Sequence, residues 1–320
     1  MNTINRFGGK DMKKSKVVVF GSFVMDLMAR GPHLPRPAES VKGTMFQMGP
    51  GGKGFNQCVA AHKAGAEVTM VTKLGRDSFA DVALDTMKEL NMSSEHILYT
   101  DQVSTATALV VVDENTAQNQ IMVIPGSLNT ITPDEVAGIE SLIKEAEYLL
   151  IQLEVNQDAN ELVVDMAEKY GCKVIMNLAP YSPVSDAFLA KAYMVTPNEV
   201  EAEGMTGIVV SDTESAKKAA DILREKGIEI VVITLGSRGA FISTKDRAEL
   251  VPAFKVNAQD TTGAGDAFNG GLLAALSEGK DIWEAARFAS ALAALSVQKK
   301  GAAVSMPWRN EIEDFLAAQK

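Results

Sequence analysis

Residues 260–271 read DTTGAGDAFNGG: an acidic residue, two hydroxyls and a small-residue turn, then a second acidic residue and an apolar, alanine-rich run. This pattern predicts a loop that opens onto a helix. The first turn of a helix leaves backbone N–H groups unpaired and carries the positive end of the helix dipole, so it can bind an anion. The stretch therefore predicts a phosphate site at the start of a helix.

Asp266 lies beside this predicted anion site. Its carboxylate would repel the anion, so its presence suggests a role in the reaction. A carboxylate in this position could accept the proton of an arriving hydroxyl as a general base. Phosphoryl transfer would combine the two features, with backbone amides holding the transferred group and Asp266 activating the nucleophile. The alternative is that Asp266 only caps the first helical turn. The stretch taken alone favours neither.

Strands and helices alternate along most of the chain on either side of this stretch. The β-branched run 17–20 is typical of a strand buried on both faces of a parallel sheet. Further strands are predicted at 68–74, 148–153, 173–177, 193–196, 228–234 and 240–243, and helices at 56–64, 79–90, 158–170, 264–278, 282–298 and 311–318. The alternation predicts an α/β fold with a mostly parallel sheet.

Two segments interrupt the alternation. Short strands are predicted near residues 40–47, and residues 106–113 and 119–124 flank a polar turn as in a hairpin. We assign these segments, about 32–48 and 98–126, to a small sheet that lies over the main one. Such a lid would exclude water from a reactive phosphate.

Length and composition set the class of protein. With 320 residues, 46% of them hydrophobic, the chain can form one large soluble domain, which we place at 16–320 after a loose leader at 1–15. A net charge of −10 argues against a nucleic-acid partner. No apolar run is long enough to cross a membrane. Cys58 and Cys172 are too few for a disulfide framework, so a cytoplasmic location is expected.

Polar residues at predicted ligand edges are candidates for substrate binding. Asp26 and Glu154 each follow a predicted strand, and ligands of open α/β sheets bind at the carboxyl ends of strands. Residues 51–56, GGKGFN, can approach a ligand closely, with Lys53 and Asn56 as donors. This is not a Walker loop, because Gly54 stands where Ser or Thr should. The alternatives are a turn aspartate, a solvated glutamate and a flexible linker.

Two further loops could bind phosphates and nucleotide. Asn198 and Glu201 lie three residues apart at a helix start, a spacing suited to hold hydrated Mg²⁺ but also to form a capping box. The loop at 235–239 follows a strand and could approach a nucleotide, although a plain hairpin turn explains it equally well.

Three motifs occur together in the chain, and with them it resembles the ribokinase-like sugar and nucleoside kinases from about Lys16 to the C-terminus. The motifs are GGKGFN at 51–56, PNEVE at 197–201 and DTTGAGD at 260–266. The resemblance implies a doubly wound sheet flanked by helices with a small β lid, often a dimer contact. It also implies ATP-dependent phosphorylation of a primary hydroxyl.

The resemblance assigns roles residue by residue. Asp266 would be the base, and the amides of Gly263, Ala264 and Gly265 would form the anion hole. The sugar would be held by Asp26, Gly52, Lys53, Asn56 and Glu154. Asn198 and Glu201 would act through Mg²⁺ and phosphate, and Thr234, Gly236, Ser237 and Gly239 would lie along the nucleotide. A potassium ion would be bound by Asp260, Thr262, Ser296, Lys299, Gly301 and Ser305.

One position departs from the family pattern. Val24 stands where ribokinases carry an asparagine that bonds the secondary hydroxyls of the sugar. An apolar residue there resembles the deoxyribose kinase branch, although an apolar patch rejects an extra hydroxyl only about 100-fold. The expected function is phosphorylation of the 5-hydroxyl of a pentose, ribose first. The alternatives are 2-deoxyribose or another small sugar and, in a different class, a sugar or nucleotide sensor without turnover.

Overall fold

The computed structural model describes residues 14–116 and 118–319. Residues 1–13 of the expected leader lie outside the described residues. Its last two residues are tied to the domain, because the Ser15 N–H donates to Ser277 O at 2.9 Å and Lys14 Nζ donates to Gly65 O at 2.7 Å.

Thirteen strands and eleven α-helices are found in the described residues. The strands are β1 (Lys16–Phe20), β2 (Val24–Gly31), β3 (Met45–Gly51), β4 (Glu67–Gly75), β5 (Ile97–Thr100), β6 (Thr107–Asp113), β7 (Asn119–Ile124), β8 (Tyr148–Ile151), β9 (Lys173–Met176), β10 (Met194–Val195), β11 (Ile230–Thr234), β12 (Ala240–Ser243) and β13 (Ala248–Val251). The helices are α1 (Lys53–Lys63), α2 (Ser78–Glu89), α3 (Pro133–Ala137), α4 (Glu140–Glu145), α5 (Gln157–Tyr170), α6 (Asp186–Leu189), α7 (Glu199–Thr206), α8 (Thr213–Glu225), α9 (Ala264–Ser277), α10 (Ile282–Ser296) and α11 (Arg309–Ala318).

The main sheet of the described residues has nine strands in the order β13-β12-β11-β10-β9-β8-β1-β4-β5. Its strands pair in parallel from β11 across to β5, and β12 and β13 continue it with antiparallel pairs. The chain starts at β1 and extends the sheet first on one side and then on the other. This order confirms the predicted doubly wound, mostly parallel sheet.

Helices cover both faces of this sheet, as alternate residues of β1 show. Val17 and Val19 pack into a core that also contains residues of α1, α9 and α10, whereas Val18 and Phe20 pack into a core with residues of α4, α5 and α8. A strand buried on both faces needs apolar residues at every position, which is why β1 reads as a continuous apolar run.

Four strands form a second, smaller sheet in the order β3-β2-β6-β7 within the described residues. The predicted hairpin is present as β6 and β7. The first strand of this sheet is β2, so residues 24–31 form a strand where the sequence indicated a loop up to Asp26. The strand β3 begins at Met45 and extends past 48 to Gly51, and β5 pairs with β4 in the main sheet although the expected lid segment starts at 98. We call β2, β3, β6 and β7 the lid.

No α-helix in the described ranges combines the length and the apolar character needed to cross a lipid bilayer.

Candidate active site

A cavity of about 190 Å³ lies where the chain leaves several parallel strands and where α9 begins. Its lining residues come from five places in the sequence, which the sheet brings to one edge. They are Lys53, Asn177, Ala179, Thr196, Asn198, Glu201, Thr234, Thr261, Gly263, Ala264, Gly265, Asp266 and Asn269. The location agrees with the rule that ligands of open α/β sheets bind beyond the carboxyl ends of the strands.

The start of α9 forms one wall of this cavity. Gly263 adopts a left-handed conformation, with φ of 73°, and turns the chain into the helix. The Ala264 N–H already donates to Thr261 O at 3.1 Å. The N–H groups of Gly263 and Gly265 have no acceptor among the described residues. Two of the three amides expected to bind an anion are therefore unengaged, whereas that of Ala264 is used within its own loop.

Asp266 lies in the first turn of α9 and is only 7% exposed. Its Oδ2 accepts from Asn56 Nδ2 and its Oδ1 from Gln57 Nε2, both at 2.9 Å. These donors belong to α1, so the carboxylate is held by a neighbouring helix and not by the amides of its own first turn. Burial raises the pKa of Asp266 to about 6, although Lys53 and the two amide donors favour the ionised form.

Two further carboxylates lie close to Asp266. Glu154, three residues after the end of β8, accepts from the Lys53 N–H at 2.8 Å and from the Ser22 hydroxyl, so it caps the start of α1. Asp26 extends from β2 of the lid. Burial raises the pKa of Asp26 to about 6, and the charges of Glu154 and Asp266 add to this effect. The structure thus brings Asp26, Glu154 and Asp266 together with Lys53, as expected for a site that holds several hydroxyl groups.

The glycines of segment 51–54 allow the start of α1 to pack closely against the backbone that leads into β2. Gly52 has φ of 89°, and a Cβ on it would lie 2.7 Å from the Val24 backbone nitrogen. A Cβ on Gly54 would lie 2.5 Å from the Ser22 backbone nitrogen. These contacts fix the place of Lys53 and Asn56 relative to β2 and Asp26.

Asn198 and Glu201 form the capping box that the sequence left as an alternative. Asn198 Oδ1 accepts from the Glu201 N–H at 2.9 Å, and Glu201 Oε2 accepts from the Asn198 N–H at 3.0 Å. Both residues nevertheless line the cavity, and burial raises the pKa of Glu201. The cap holds their side chains at the cavity wall and leaves Glu201 Oε1 without a hydrogen bond among the described residues.

The expected nucleotide residues follow β11. Thr234 lines the cavity and forms an isolated β-bridge with Asn198. Gly236 and Ser237 lie on an exposed 3₁₀ turn at Gly236–Arg238, and the buried Gly239 follows it with φ of 114°. The structure places Thr234 in the cavity, whereas Gly236, Ser237 and Gly239 do not line it.

The expected cation-binding residues come from two loops that the structure joins. Asp260 accepts from the Thr262 N–H at 3.0 Å and from the Gly301 N–H at 2.9 Å. The hydroxyls of Ser296 and Ser305 donate to carbonyls of their own segments. Lys299 Nζ donates to Glu311 at 2.9 Å. An ammonium group has no acceptor, so only the backbone carbonyl of Lys299 could bind a cation between the loops.

Sequence reasoning missed several polar residues of this site. Gln57 contacts Asp266, and the residues that line the cavity without having been singled out are Asn177, Ala179, Thr196, Thr261 and Asn269. Asn177 and Thr196 each follow a strand, as Glu154 does. The position of polar residues at strand ends was therefore a usable signal, whereas Gln57 and Asn269 lie inside helices and gave none.

A larger depression, of about 300 Å³, lies at the opposite edge of the sheet near Lys16 and Glu67. It is lined neither by Asp266 nor by the residues at the start of α9. The smaller cavity is therefore the candidate active site.

Comparison with known proteins agrees with this geometry. Residues 14–309 match the family model described as pfkB family carbohydrate kinase. The ribokinase of Haemophilus influenzae is 40% identical over 305 residues, which cover 95% of this chain and 99% of that protein. The deoxyribokinase of Salmonella typhi is 32% identical over 302 residues, which cover 94% and 98% of the two chains.

A solved structure shows the same architecture. The Arabidopsis thaliana ribokinase complexed with ribose and ATP superposes with a TM-score of 0.88 at 27% identity, and the match covers 95% of this chain and 99% of that one. The resemblance seen in the three sequence motifs is confirmed. The chain belongs to the pfkB family of carbohydrate kinases.

Proposed function

We propose that this enzyme transfers the γ-phosphoryl group of ATP to the 5-hydroxyl of a pentose, with ribose as the first candidate. The observation that carries the proposal is the Asp266 carboxylate, held by two amides at the wall of a cavity next to the unengaged N–H groups of Gly263 and Gly265. Similarity to the Haemophilus influenzae ribokinase and to the Arabidopsis thaliana ribokinase with ribose and ATP supports both substrates.

The reaction follows from the groups in and beside the cavity, of which Asp26, Asn56 and Glu154 do not line it. Asp26, Lys53, Asn56 and Glu154 would bind the sugar so that its primary hydroxyl faces Asp266. Asp266 would accept the hydroxyl proton while the oxygen attacks the γ-phosphorus, and the bond to the β-phosphate oxygen breaks to release ADP. The amides of Gly263 and Gly265 would stabilise the charge on the transferred group, and most of the rate would come from positioning and charge stabilisation.

We further propose that Mg²⁺ and K⁺ serve this reaction. No group of three or more His, Cys, Asp or Glu side chains in the described part of the chain is arranged to hold a metal ion. Glu201, whose Oε1 has no hydrogen bond among the described residues, suits a Mg²⁺ ion shared with water and phosphates. Carbonyls of the loops joined by Asp260 and Gly301 suit K⁺. Mg²⁺ would neutralise phosphate charge when bound.

A coupled assay of ADP release with ribose, 2-deoxyribose and other small sugars tests the function. We expect turnover with Mg-ATP and a pentose, faster with K⁺ than with Na⁺ at the same ionic strength. ADP release with no sugar of the panel, together with retained sugar binding, would instead favour a sensor without turnover.

Val24 supports 2-deoxyribose as a second candidate. The side chain is buried and shares the lid face of Asp26, because residues two apart on β2 point to the same side. It cannot bond a sugar hydroxyl. The similarity to the Salmonella typhi deoxyribokinase points the same way.

We expect Val24→Asn to raise the ratio of kcat/KM on ribose to that on 2-deoxyribose by about 10-fold, because the new amide could bond the 2-hydroxyl. Measuring both substrates with both enzymes gives this ratio directly. Val24→Thr is the matched control. Threonine has nearly the shape of valine, and its hydroxyl extends less far than the amide of asparagine. An unchanged ratio in a folded Val24→Asn enzyme would place Val24 outside sugar recognition.

The lid suits a homodimer. The strand register places five apolar side chains on the face opposite Asp26, and each of them is exposed. This outer lid face consists of Phe46, Met48, Leu109, Met122 and Ile124. Phe46 is 64% and Met122 65% exposed, and a monomer seldom leaves such a patch uncovered. We infer that a second copy covers it.

Sedimentation of the purified chain is expected to give twice the mass of one chain. A glutamate in place of Met122 should shift the protein toward the monomer, because a charge would be buried in an apolar contact. Gln118→Glu adds the same charge just before β7 and serves as the control. A monomeric starting enzyme would contradict the inference.

The cytoplasm is the proposed location, since ATP is the expected donor and both cysteines are buried free thiols.

A further inference from the structure

Gln57 is a fully buried residue of α1 that contacts the Asp266 carboxylate without lining the cavity. Its Nε2 group donates to Asp266 Oδ1 and to Asn177 Oδ1, each at 2.9 Å. Its Oε1 accepts from Gln152 Nε2 at 2.6 Å. Both amide protons and the carbonyl oxygen of Gln57 are therefore engaged.

The network permits one orientation of the Gln57 amide. Asn177 Nδ2 donates to the Thr196 carbonyl at 3.0 Å, so Asn177 Oδ1 faces Gln57 as an acceptor. An ionised aspartate only accepts hydrogen bonds. A flipped Gln57 would place its oxygen against both acceptors and its NH₂ group against that of Gln152. The orientation thus follows from the donors and acceptors around it.

This network connects Asp266 to the main sheet. Gln152 follows β8 and Asn177 follows β9, and both side chains are buried. Close packing of α1 on α9 makes the contact possible, because a Cβ on Gly270 would lie 2.4 Å from Ala60 Cβ and 2.5 Å from Gln57 O. Asn56, by comparison, holds the other carboxylate oxygen with a single bond at 2.9 Å.

We propose that Gln57 is the positioning residue that fixes the orientation of the Asp266 carboxylate toward the sugar hydroxyl and anchors it to the ends of β8 and β9. The inference rests on the proposed role of Asp266 as the general base. The accepting atom of a base must lie within about 2.6–3.2 Å of the oxygen whose proton it accepts. A displacement of about 1 Å can lower the rate about 100-fold. A carboxylate held from one side only could rotate out of this range.

The same contact has an effect on protonation. A donor to the ionised carboxylate lowers its pKa, so the bond from Gln57 opposes the effect of burial on Asp266. Loss of this bond would raise the pKa of Asp266 above its value of about 6. The base is inactive when protonated, so the acidic limb of the kcat profile would move to higher pH.

The test uses Gln57→Met, which removes the amide and keeps a similar volume. We expect kcat for the pentose to fall about 100-fold. The KM for the sugar should change little, because Gln57 is fully buried and its amide is engaged by protein groups on every side. The acidic limb of kcat should move upward from near pH 6, and in an Asp266→Asn background Gln57→Met should lower kcat little further, since the two residues act together.

Asn160→Leu is the matched control. Asn160 is fully buried, and its Nδ2 donates to the Gln152 carbonyl at 2.9 Å, yet it has no contact with Asp266. We expect it to lower the thermal unfolding temperature without moving the acidic limb. A merely structural role of Gln57 would give the same pattern as this control.

The outcomes separate this inference from the proposed function. An unsubstituted enzyme without pentose-dependent ADP release would overturn the function itself. An active enzyme in which Gln57→Met keeps both kcat and the acidic limb would overturn the role of Gln57. If Gln57→Met does not fold, Gln57→Glu keeps the shape and the acceptor for Gln152. It should also move the acidic limb upward, because a second carboxyl group then faces Asp266.

Discussion

Asp266→Asn is expected to lower kcat by about 10²–10⁴-fold, the range typical of a lost general base. The asparagine has the size of the aspartate and lies in the same first turn of α9, but its amide cannot accept the hydroxyl proton. Sugar binding should remain, because Asp26, Lys53 and Glu154 are unchanged. Single-turnover kinetics with Mg-ATP, together with calorimetry of sugar binding without nucleotide, measure the two effects separately.

Asp158→Asn is the control for this variant. Asp158 is an exposed acidic residue in the first turn of α5 and does not line the cavity, so it reports the loss of an acidic residue at a helix start alone. Such a loss costs about 0.3–1 kcal/mol of stability and no activity. Near-normal turnover of the Asp266→Asn enzyme would mean that Asp266 only stabilises the start of α9 and is not the base.

Gly54→Ala is expected to lower kcat/KM for the sugar by about 100-fold and to destabilise the protein by about 1–3 kcal/mol. A Cβ on Gly54 would lie 2.5 Å from the Ser22 nitrogen and 2.7 Å from the Gly21 carbonyl carbon, and backbone atoms cannot move aside as a side chain can. The start of α1 would have to shift, and with it Lys53, Asn56 and Gln57. Steady-state kinetics and chemical denaturation give both quantities.

Gly49→Ala is the matched control, because among the described residues no heavy atom beyond its two chain neighbours lies within 4 Å of a Cβ built on Gly49. Gly49 lies within β3, two residues before the glycine-rich segment 51–54. We expect this enzyme to retain activity and stability. Equal behaviour of the two alanine variants would mean that the close approach at Gly54 does not position the site.

Local sequence pattern was sufficient for most of the main sheet and its helices, although it predicted neither β13 nor α8 and placed β5 in the lid. The apolar run of β1 and the helix start at Asn198 were readable because burial on both faces and capping are decided by neighbouring residues. The lid was harder. Residues 24–31 follow the short loop after β1, where the sequence indicated that the loop continues up to Asp26. They form a strand because β3 and β6 pair with them on both sides.

For the site, too, some features follow from local sequence and others depend on tertiary contacts. The motifs at 51–56, 197–201 and 260–266 identified the cavity, since glycines and acidic residues at helix starts have a local physical meaning. Whether Asn198 and Glu201 form a capping box, and whether the Ala264 N–H is free, depends on atoms a few ångströms away, which no local pattern specifies.

Sequence alone thus determined the alternation of strands and helices, and it predicted an anion site at the start of α9 with Asp266 beside it. Tertiary structure alone decided that α1 lies against α9, so that Asn56 and Gln57 hold the Asp266 carboxylate from residues about two hundred positions away in the chain. The reason is that helix and strand signals act over a few neighbouring residues. The orientation and pKa of a buried carboxylate are instead set by the groups that packing places around it.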